Sequence, residues 1–291
     1  MQNFTDLVGD TPLFEVEKNI FAKLEMQNPS GSVKDRAAAA IISAAEKSGE
    51  LRSGGTIIEA SSGNFGISLT AIGASRNYRV KICLPENFSV ERREILVALG
   101  AEIIFTPAEG GMSAAIEKAA ELAKNENHFR SRQFENPANP EAHFATTGPE
   151  IFRRLPELKI FTAGVGTGGT ISGVGKFLKS QNSAIRIVAV EPAESAVLSG
   201  GSKSSHKIEG IGAGFVPQNF DTKVVDEVLQ ISSDDAIQNS RALAKKGLFV
   251  GISSGANFAA AKILAEKFPE QEIATIFPDG GERYLSTELF V

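Results

Sequence analysis

The chain has 291 residues, of which 42% are hydrophobic and 22% charged, so it can bury one large core or two of ordinary size. Its net charge of -5 and isoelectric point near 5.5 argue against nucleic acid or an anionic membrane surface as a partner and favour small molecules. Residues 1–20 have no cationic start followed by an apolar stretch, which predicts no signal peptide, and no apolar run reaches the ~18 residues of a membrane helix. The single cysteine, Cys83, excludes an intramolecular disulfide, which predicts a cytoplasmic protein, and its apolar neighbours favour a core position.

Short β-like runs alternate with helix-length segments through most of the chain, which predicts an α/β fold with mostly parallel sheets. The predicted strands, each rich in β-branched or aromatic residues, are residues 56–59, 79–84, 102–106, 158–163, 186–190, 224–230 and 272–277. The predicted helices, whose apolar residues recur with a period near 3.6, are residues 37–47, 67–75, 115–124, 171–179, 234–246 and 256–267. The Asn- and Pro-rich stretch 131–140 is the predicted crossing between two domains.

Two loops in the first half of the chain have the composition of ligand-binding loops. Residues 28–36 present Lys34 just before a predicted helix, which suits a catalytic amine, although a lysine followed by Asp and Arg is more typical of a solvated face. Residues 59–66 join a strand to a helix, and their hydroxyl and N–H groups suit a carboxylate or a phosphate. An ordinary Ser/Asn helix cap explains the second loop equally well.

Two further loops lie in the second half. Residues 164–170 follow an apolar strand and open a helix, and their small side chains let backbone N–H groups approach an anion, which predicts a phosphate cradle. The same loop fits G-x-G-x-x-G, with Glu191 where a ribose-binding acid would fall, so a nicotinamide-dependent oxidoreductase is a rival hypothesis. Residues 251–255 fit the nucleophile elbow of serine hydrolases at Ser253, but every histidine precedes that serine, against the order of that fold. The histidine spacing predicts no metal site.

Together these loops resemble the family of cysteine synthases (O-acetylserine sulfhydrylases) and cystathionine β-synthases over almost the whole chain. Other segments that match in order and spacing are residues 9–13, 23–25, 133–140, 146–150, 210–215 and 281–284. The resemblance implies the fold-type II architecture of pyridoxal-phosphate enzymes, similar to the tryptophan synthase β chain, with two three-layer α/β domains. The larger domain would comprise residues 1–34 and 141–291, and the smaller, mobile domain residues 35–140.

The resemblance also implies a role for individual residues. Lys34 would carry pyridoxal 5′-phosphate and act as the catalytic base at the substrate Cα. Asn64 would bind the 3′ oxygen of the cofactor and Ser253 its pyridine nitrogen, where a neutral hydroxyl favours elimination at Cβ over transamination. The implied phosphate ligands are Gly166, Thr167, Gly168, Gly169 and Thr170. The implied substrate-binding residues are Ser61, Ser62, Asn64, Phe65, Gln133 and Gly212.

The reaction implied by the resemblance is β-replacement on a serine-derived amino acid, with O-acetylserine and sulfide giving cysteine and acetate. The family loop Thr-Ser-Gly-Asn-Thr-Gly reads Ser-Ser-Gly-Asn-Phe-Gly at residues 61–66, so Phe65 either reshapes the pocket or turns away from it. This difference leaves O-phosphoserine, serine and cysteine open as donors. A homodimer and a complex with the C-terminal tail of a serine acetyltransferase are also implied, whereas a heme or adenosylmethionine regulatory domain is not expected. A catalytically silent binding subunit is the remaining alternative.

Overall fold

The computed structural model describes residues 3–61, 63–86 and 90–290. The strands are β1 (Leu13–Glu17), β2 (Ile20–Leu24), β3 (Thr56–Ala60), β4 (Arg79–Pro85), β5 (Glu102–Thr106), β6 (His128–Arg130), β7 (Ile160–Gly164), β8 (Arg186–Pro192), β9 (Glu227–Ile231) and β10 (Ile273–Phe277). The helices are α1 (Lys34–Ser48), α2 (Asn64–Ser75), α3 (Val90–Ala98), α4 (Gly111–Leu122), α5 (Ala138–Ala142), α6 (Gly148–Arg154), α7 (Gly169–Gln181), α8 (Ser233–Lys245) and α9 (Ile252–Lys267). Within the described ranges, no helix has both the length and the apolarity needed to cross a membrane.

The chain forms two compact units. The first unit consists of the residues up to Val8 together with Asn28–Ala138, and the second of Gly9–Gln27 together with the residues from Asn139 onward. The division that the sequence predicts, a mobile domain of residues 35–140 and a larger remainder, stays a prediction.

The first unit is built on a parallel sheet with the strand order β5-β4-β3-β6. All five residues of β3 are buried, as expected for a central strand covered by helices on both faces. Ile57 and Ile82 pack in a core with α1 and α2, whereas Ile58 and Cys83 pack against α4. Because successive side chains of a strand point to opposite faces, one short apolar run supplies both layers of the core.

The second unit contains a sheet with the strand order β1-β2-β10-β7-β8-β9. Within it β1 pairs with β2 antiparallel, and each of the other neighbouring pairs is parallel. The central strand β10 is entirely buried, and Phe277 on it meets Phe258 of α9 edge to face, with ring centroids 6.4 Å apart. The carboxyl ends of β7 and β10 therefore lie at one edge of the sheet, where α7 and α9 begin.

The predicted α/β class with mostly parallel sheets is confirmed, and each predicted strand overlaps an observed one. The sequence analysis missed β1, β2 and β6. The edge strand β1 is mostly solvent-facing and carries two glutamates, and β6 has only three residues, so neither shows a long apolar run. It also missed α3, α5 and α6, and it started the first helix at residue 37, whereas α1 begins at Lys34.

The predicted core position of Cys83 is confirmed. The side chain is fully buried in β4, and this burial raises the pKa of the thiol to about 11. Because the thiolate is the nucleophilic form, Cys83 is inert at neutral pH and serves as a small apolar residue.

Candidate functional site

In the first unit, Lys34 lies in the first turn of α1 and is partly buried. The loop before it is held by Asp35, a fully buried carboxylate that accepts hydrogen bonds from the backbone N–H of Ser30, at 2.7 Å, and from the Ser30 hydroxyl. Ser30 Oγ also lies 3.1 Å from Ser68 Oγ on α2. These contacts fix the backbone that carries Lys34 to the neighbouring helix, so its side chain starts from a rigid position.

The connection between β3 and α2 is organised around the hydroxyl of Ser61. Ser61 is buried, and its Oγ accepts the backbone N–H of Gly66 at 3.0 Å, which satisfies a donor in the first turn of α2. Asn64 begins α2 and is partly buried. Ser62, also predicted to bind substrate, lies outside the described residues. The loop thus presents the N-terminus of a helix, which suits an anionic group such as a carboxylate.

Phe65 is the residue at which this loop departs most from the family pattern. Its ring is 2% exposed and packs in the apolar core of the first unit with Ile41 and Ile72. Since the ring is part of this core, any contact that Phe65 makes with a ligand comes from its backbone. The sequence left open whether the ring reshapes the pocket or turns away, and the structure places it in the core.

Gln133 follows β6, the parallel neighbour of β3, so it lies at the same sheet edge as Ser61. Between these two loops lies Glu59, a buried carboxylate that the sequence analysis did not single out. It accepts hydrogen bonds from the Ala60 backbone N–H at 2.9 Å, from the Ser131 hydroxyl at 2.5 Å and from the Gln133 backbone N–H. Burial raises the pKa of Glu59 above its ordinary value of 4.5, against the opposing effect of these hydrogen bonds and of Arg130.

In the second unit, residues 164–170 run from the end of β7 into α7. A Cβ at Gly166 would collide with the carbonyl oxygen of Gly210. Gly168 has φ +83°, and a Cβ there would lie 2.7 Å from the backbone nitrogen of Phe220. Only glycine fits both positions, and the result is a backbone turn at the N-terminus of a 13-residue helix, which is a favourable place for a phosphate.

The hydroxyl groups of the two threonines in this loop contact polar side chains that the sequence analysis did not assign to the site. Asn139 Nδ2 donates to Thr167 Oγ1 at 3.0 Å, and Thr170 Oγ1 lies 3.2 Å from Nε2 of the buried His143. An amide N–H can only donate, so the Thr167 hydroxyl keeps its own proton to direct at an acceptor. Asn139 lies in the matching segment 133–140, and His143 lies between that segment and the matching segment 146–150. This proximity to segments shared with the family was the only sign in the sequence that the two residues belong to the site.

Ser253 is buried in the first turn of α9. Gly251, the residue before α9, donates its N–H to the carbonyl of Asp279 at 3.1 Å, and its own carbonyl accepts the hydroxyl of Ser240 at 3.0 Å. A Cβ at Gly210 would lie 3.9 Å from Ser253 Oγ, so Gly210 is a neighbour both of Gly166 and of Ser253. The structure therefore brings the predicted phosphate loop and the predicted ring-nitrogen partner together within the second unit.

Gly212, the last predicted substrate residue, donates its N–H to the carbonyl of Val165 at 3.0 Å, so it too lies beside the phosphate loop. Glu191, the acid on which the dinucleotide hypothesis depended, is the next-to-last residue of β8, but its carboxylate accepts the backbone N–H groups of Leu198 and Ser199, at 2.7 and 3.1 Å. The carboxylate thereby holds a surface loop and has a structural role that does not need a ribose. The glycine loop therefore remains a candidate site for the phosphate of a cofactor, and the residues around the loop fit such a group.

A family model described as "Pyridoxal-phosphate dependent enzyme" matches residues 4–279 of the chain. A cysteine synthase B from Campylobacter jejuni is 49% identical over 294 residues, which cover 99% of this chain and 98% of the relative.

Solved structures agree with this similarity. The crystal structure of a cysteine synthase from Entamoeba histolytica superposes with a TM-score of 0.95 at 42% identity, covering 100% of this chain and 90% of that one. An O-acetylserine dependent cystathionine β-synthase from Helicobacter pylori gives a TM-score of 0.94 at 41% identity, with coverages of 100% and 99%.

The raised pKa of Glu59 predicts a pH dependence of stability. Because the folded pKa lies above the unfolded one, the native state binds more protons than the unfolded state between these two pKa values, so stability falls as pH rises from 4.5 through the raised pKa. Each unit of pKa elevation corresponds to about 1.4 kcal/mol. In Glu59→Gln, which cannot ionise, we expect this loss to be absent, so that in urea unfolding the variant gains stability relative to wild type as pH is raised above 4.5. Parallel pH profiles of the two proteins would contradict the assignment, and the exposed Glu157→Gln serves as the control.

The second prediction separates backbone strain from collision in the glycine loop. Gly168 and Gly200 have the same backbone angle, φ +83° and +84°, but a Cβ at Gly200 meets nothing within 4 Å. Backbone strain should therefore lower the free energy of unfolding of both Gly168→Ala and Gly200→Ala by about 1–2 kcal/mol. In Gly168→Ala the collision of the new Cβ with Phe220 should lower it by about 1–3 kcal/mol more. Equal unfolding free energies of the two variants would show that the loop has room that the structure does not indicate.

Proposed function

Because the chain belongs to the family of pyridoxal-phosphate dependent enzymes, we propose that it is a cysteine synthase, replacing the β-substituent of O-acetylserine with sulfide to form cysteine and acetate. The observation that carries the proposal is the 49% identity with a cysteine synthase B over 99% of the chain. The cofactor is pyridoxal 5′-phosphate, and the glycine cradle of the second unit fits its phosphate.

Lys34 is the proposed catalytic residue. Its Nζ would hold the cofactor covalently and, as a free amine, would remove the proton from the substrate Cα and later return it. Bound pyridoxal phosphate supplies the electron sink that makes this proton acidic. The contacts of Asp35 and Ser30 support the assignment, since they fix the backbone from which the amine extends.

The proposed cofactor ligands of the second unit bind the two ends of the cofactor, its phosphate and its pyridine nitrogen. Backbone N–H groups and hydroxyls bind the phosphate through Gly166, Thr167, Gly168, Gly169 and Thr170. The hydroxyl of Ser253 faces the pyridine nitrogen, where a neutral group leaves the nitrogen unprotonated and so favours loss of a group from Cβ over transamination. The proximity of Gly210 to both Gly166 and Ser253 supports this pairing.

The proposed substrate site lies on the loops that follow β3 and β6. Ser61, Ser62, Asn64 and Gln133 bind the α-carboxylate through hydroxyl, amide and backbone donors, and Asn64 also binds the 3′ oxygen of the cofactor. Phe65 contributes its backbone. Gly212, which lies beside the phosphate loop of the second unit, is also a proposed substrate-binding residue. The helix N-terminus at Asn64 and the sheet edge shared by Ser61 and Gln133 support the site.

Three wider proposals rest on the resemblance of the chain to its family. We propose a homodimer, a smaller mobile domain of residues 35–140, and binding of the C-terminal tail of a serine acetyltransferase at the substrate carboxylate site. We also propose a cytoplasmic location, because the single cysteine is a buried core residue that needs no oxidising compartment.

Borohydride reduction tests the role of Lys34. In the wild-type holoenzyme, reduction should attach the cofactor mass to the peptide containing Lys34. Lys34→Ala should show no such label and should lose turnover by at least about 10²–10⁴-fold, the usual contribution of a positioned general base. Lys47→Ala, on the exposed last turn of the same helix, is the matched control and should keep both label and activity. A label on any other lysine would refute the assignment.

Steady-state assays with a panel of donors test the reaction itself. We expect O-acetylserine with sulfide to give the highest kcat/KM when O-acetylserine, O-phosphoserine, serine and cysteine are each combined with sulfide and with homocysteine. A higher kcat/KM with homocysteine would favour a cystathionine β-synthase activity, as in the Helicobacter pylori enzyme. Absence of turnover and of any spectral change with all four donors would favour a catalytically silent binding subunit instead.

A further inference from the structure

Asn257 has a buried side-chain amide whose two polar atoms both bind backbone groups. It is 1% exposed and lies on α9, four residues and so about one helical turn after Ser253. Its Oδ1 accepts the backbone N–H of Gly164 at 2.7 Å, and its Nδ2 donates to the carbonyl oxygen of Ile276 at 2.7 Å. Neither Asn257 nor its contacts have a part in the functional roles assigned above.

These two partners lie where the pairing of two central strands stops. The register between β7 and β10 ends at Thr162 and Thr275. Beyond that point the N–H of Gly164 on β7 and the carbonyl of Ile276 on β10 are joined through the Asn257 amide. The side chain thus takes the place of the missing strand-to-strand bond and connects the two strands to α9.

The position of Gly164 gives this bridge its functional meaning. Gly164 is the last residue of β7 and the first residue of the phosphate loop, whereas Ser253 lies in the first turn of the helix that carries Asn257. A Cβ at Gly164 would lie 2.7 Å from Ile211 and 3.2 Å from Asn257 Oδ1, so the loop backbone is closely packed against both. The start of the loop therefore cannot shift without breaking the hydrogen bond to Asn257.

We propose that Asn257 is a positioning residue that sets the spacing between the phosphate cradle and the Ser253 hydroxyl, and so holds the two ends of the cofactor in register. This inference rests on the proposed roles of residues 166–170 and Ser253. An amide suits the position because it presents an acceptor and a donor from one rigid plane. Removing it would leave a buried N–H and a buried carbonyl without partners, which is costly at a site that excludes water.

The test compares Asn257→Leu and Asn257→Ala with Thr275→Val. Leucine keeps the branched shape of asparagine without its polar atoms and alanine leaves a cavity, so an effect common to both variants reports the hydrogen bonds rather than a cavity. Thr275→Val is the matched control because the fully buried Thr275 hydroxyl also joins β10 to β7, donating to the Thr162 carbonyl at 2.8 Å, without contacting the phosphate loop.

The readouts are the dissociation constant of pyridoxal phosphate from cofactor-depleted protein and the ³¹P NMR shift of the bound phosphate. We expect both Asn257 variants to bind the cofactor about tenfold more weakly or worse and to move the ³¹P signal, since two buried hydrogen bonds are lost. Thr275→Val should stay within about twofold of wild type and leave the ³¹P shift unchanged, even where it lowers Tm. If Asn257→Leu and Asn257→Ala do not fold, Asn257→Asp, which keeps the acceptor for Gly164 but loses the donor to the Ile276 carbonyl, should move both readouts in the same direction by a smaller amount.

Two results would overturn the inference and leave the proposed function intact. Cofactor affinity and ³¹P shift of the Asn257 variants close to wild type would show that the bridge does not position the cradle. Equal weakening by Thr275→Val would show that affinity follows the general stability of the sheet. A wild-type protein that binds no pyridoxal phosphate would overturn the proposed function itself, and the inference with it, and is distinguished by the wild-type measurement alone.

Discussion

Close packing of backbone against backbone at Gly166 and Gly168 is the constraint on which the second unit's part of the candidate site depends. At these positions the phosphate loop touches the carbonyl of Gly210 and the backbone of Phe220, and neither contact leaves room for a Cβ. The approach puts the loop at the N-terminus of α7, where unpaired N–H groups and the helix dipole favour an anion. It also brings residue 210, the neighbour of Ser253, against the loop, so both predicted cofactor contacts of this unit follow from one packing arrangement.

In both units, buried polar side chains form hydrogen bonds that fix the loops of the candidate site. In the first unit Glu59 bonds Ala60, the last residue of β3, and Ser131, the residue after β6. In the second unit Asn139 and Asn257 bond the phosphate loop at Thr167 and Gly164. Loops at a sheet edge lack the strand pairing that satisfies and immobilises the backbone within the sheet. These side chains supply the missing partners, and the groups that would touch a ligand therefore start from defined positions.

The family, the fold class and the cofactor were predicted from the sequence and are confirmed. The roles of individual residues, from Lys34 to Ser253, stay predictions. The residues that support them were missed for a physical reason: Glu59, Asn139, His143 and Asn257 act through partners up to 93 residues away, as Asn257 does on Gly164, and such contacts leave no periodic pattern. The strands β1 and β6 were missed because one is a polar edge strand and the other is three residues long.

The sequence by itself determined the alternation of strands and helices, the glycine-rich turn and the lysine at the start of α1, because these depend on local backbone preferences and on short spacings along the chain. Only the tertiary structure decided that the Phe65 ring lies in the core, that Glu191 holds a loop rather than a ribose, and that Asn257 bridges β7 and β10. Each of these outcomes depends on which distant segments pack together. That packing results from the burial of whole sheet and helix faces, so it cannot be read from the neighbours of one residue in the chain.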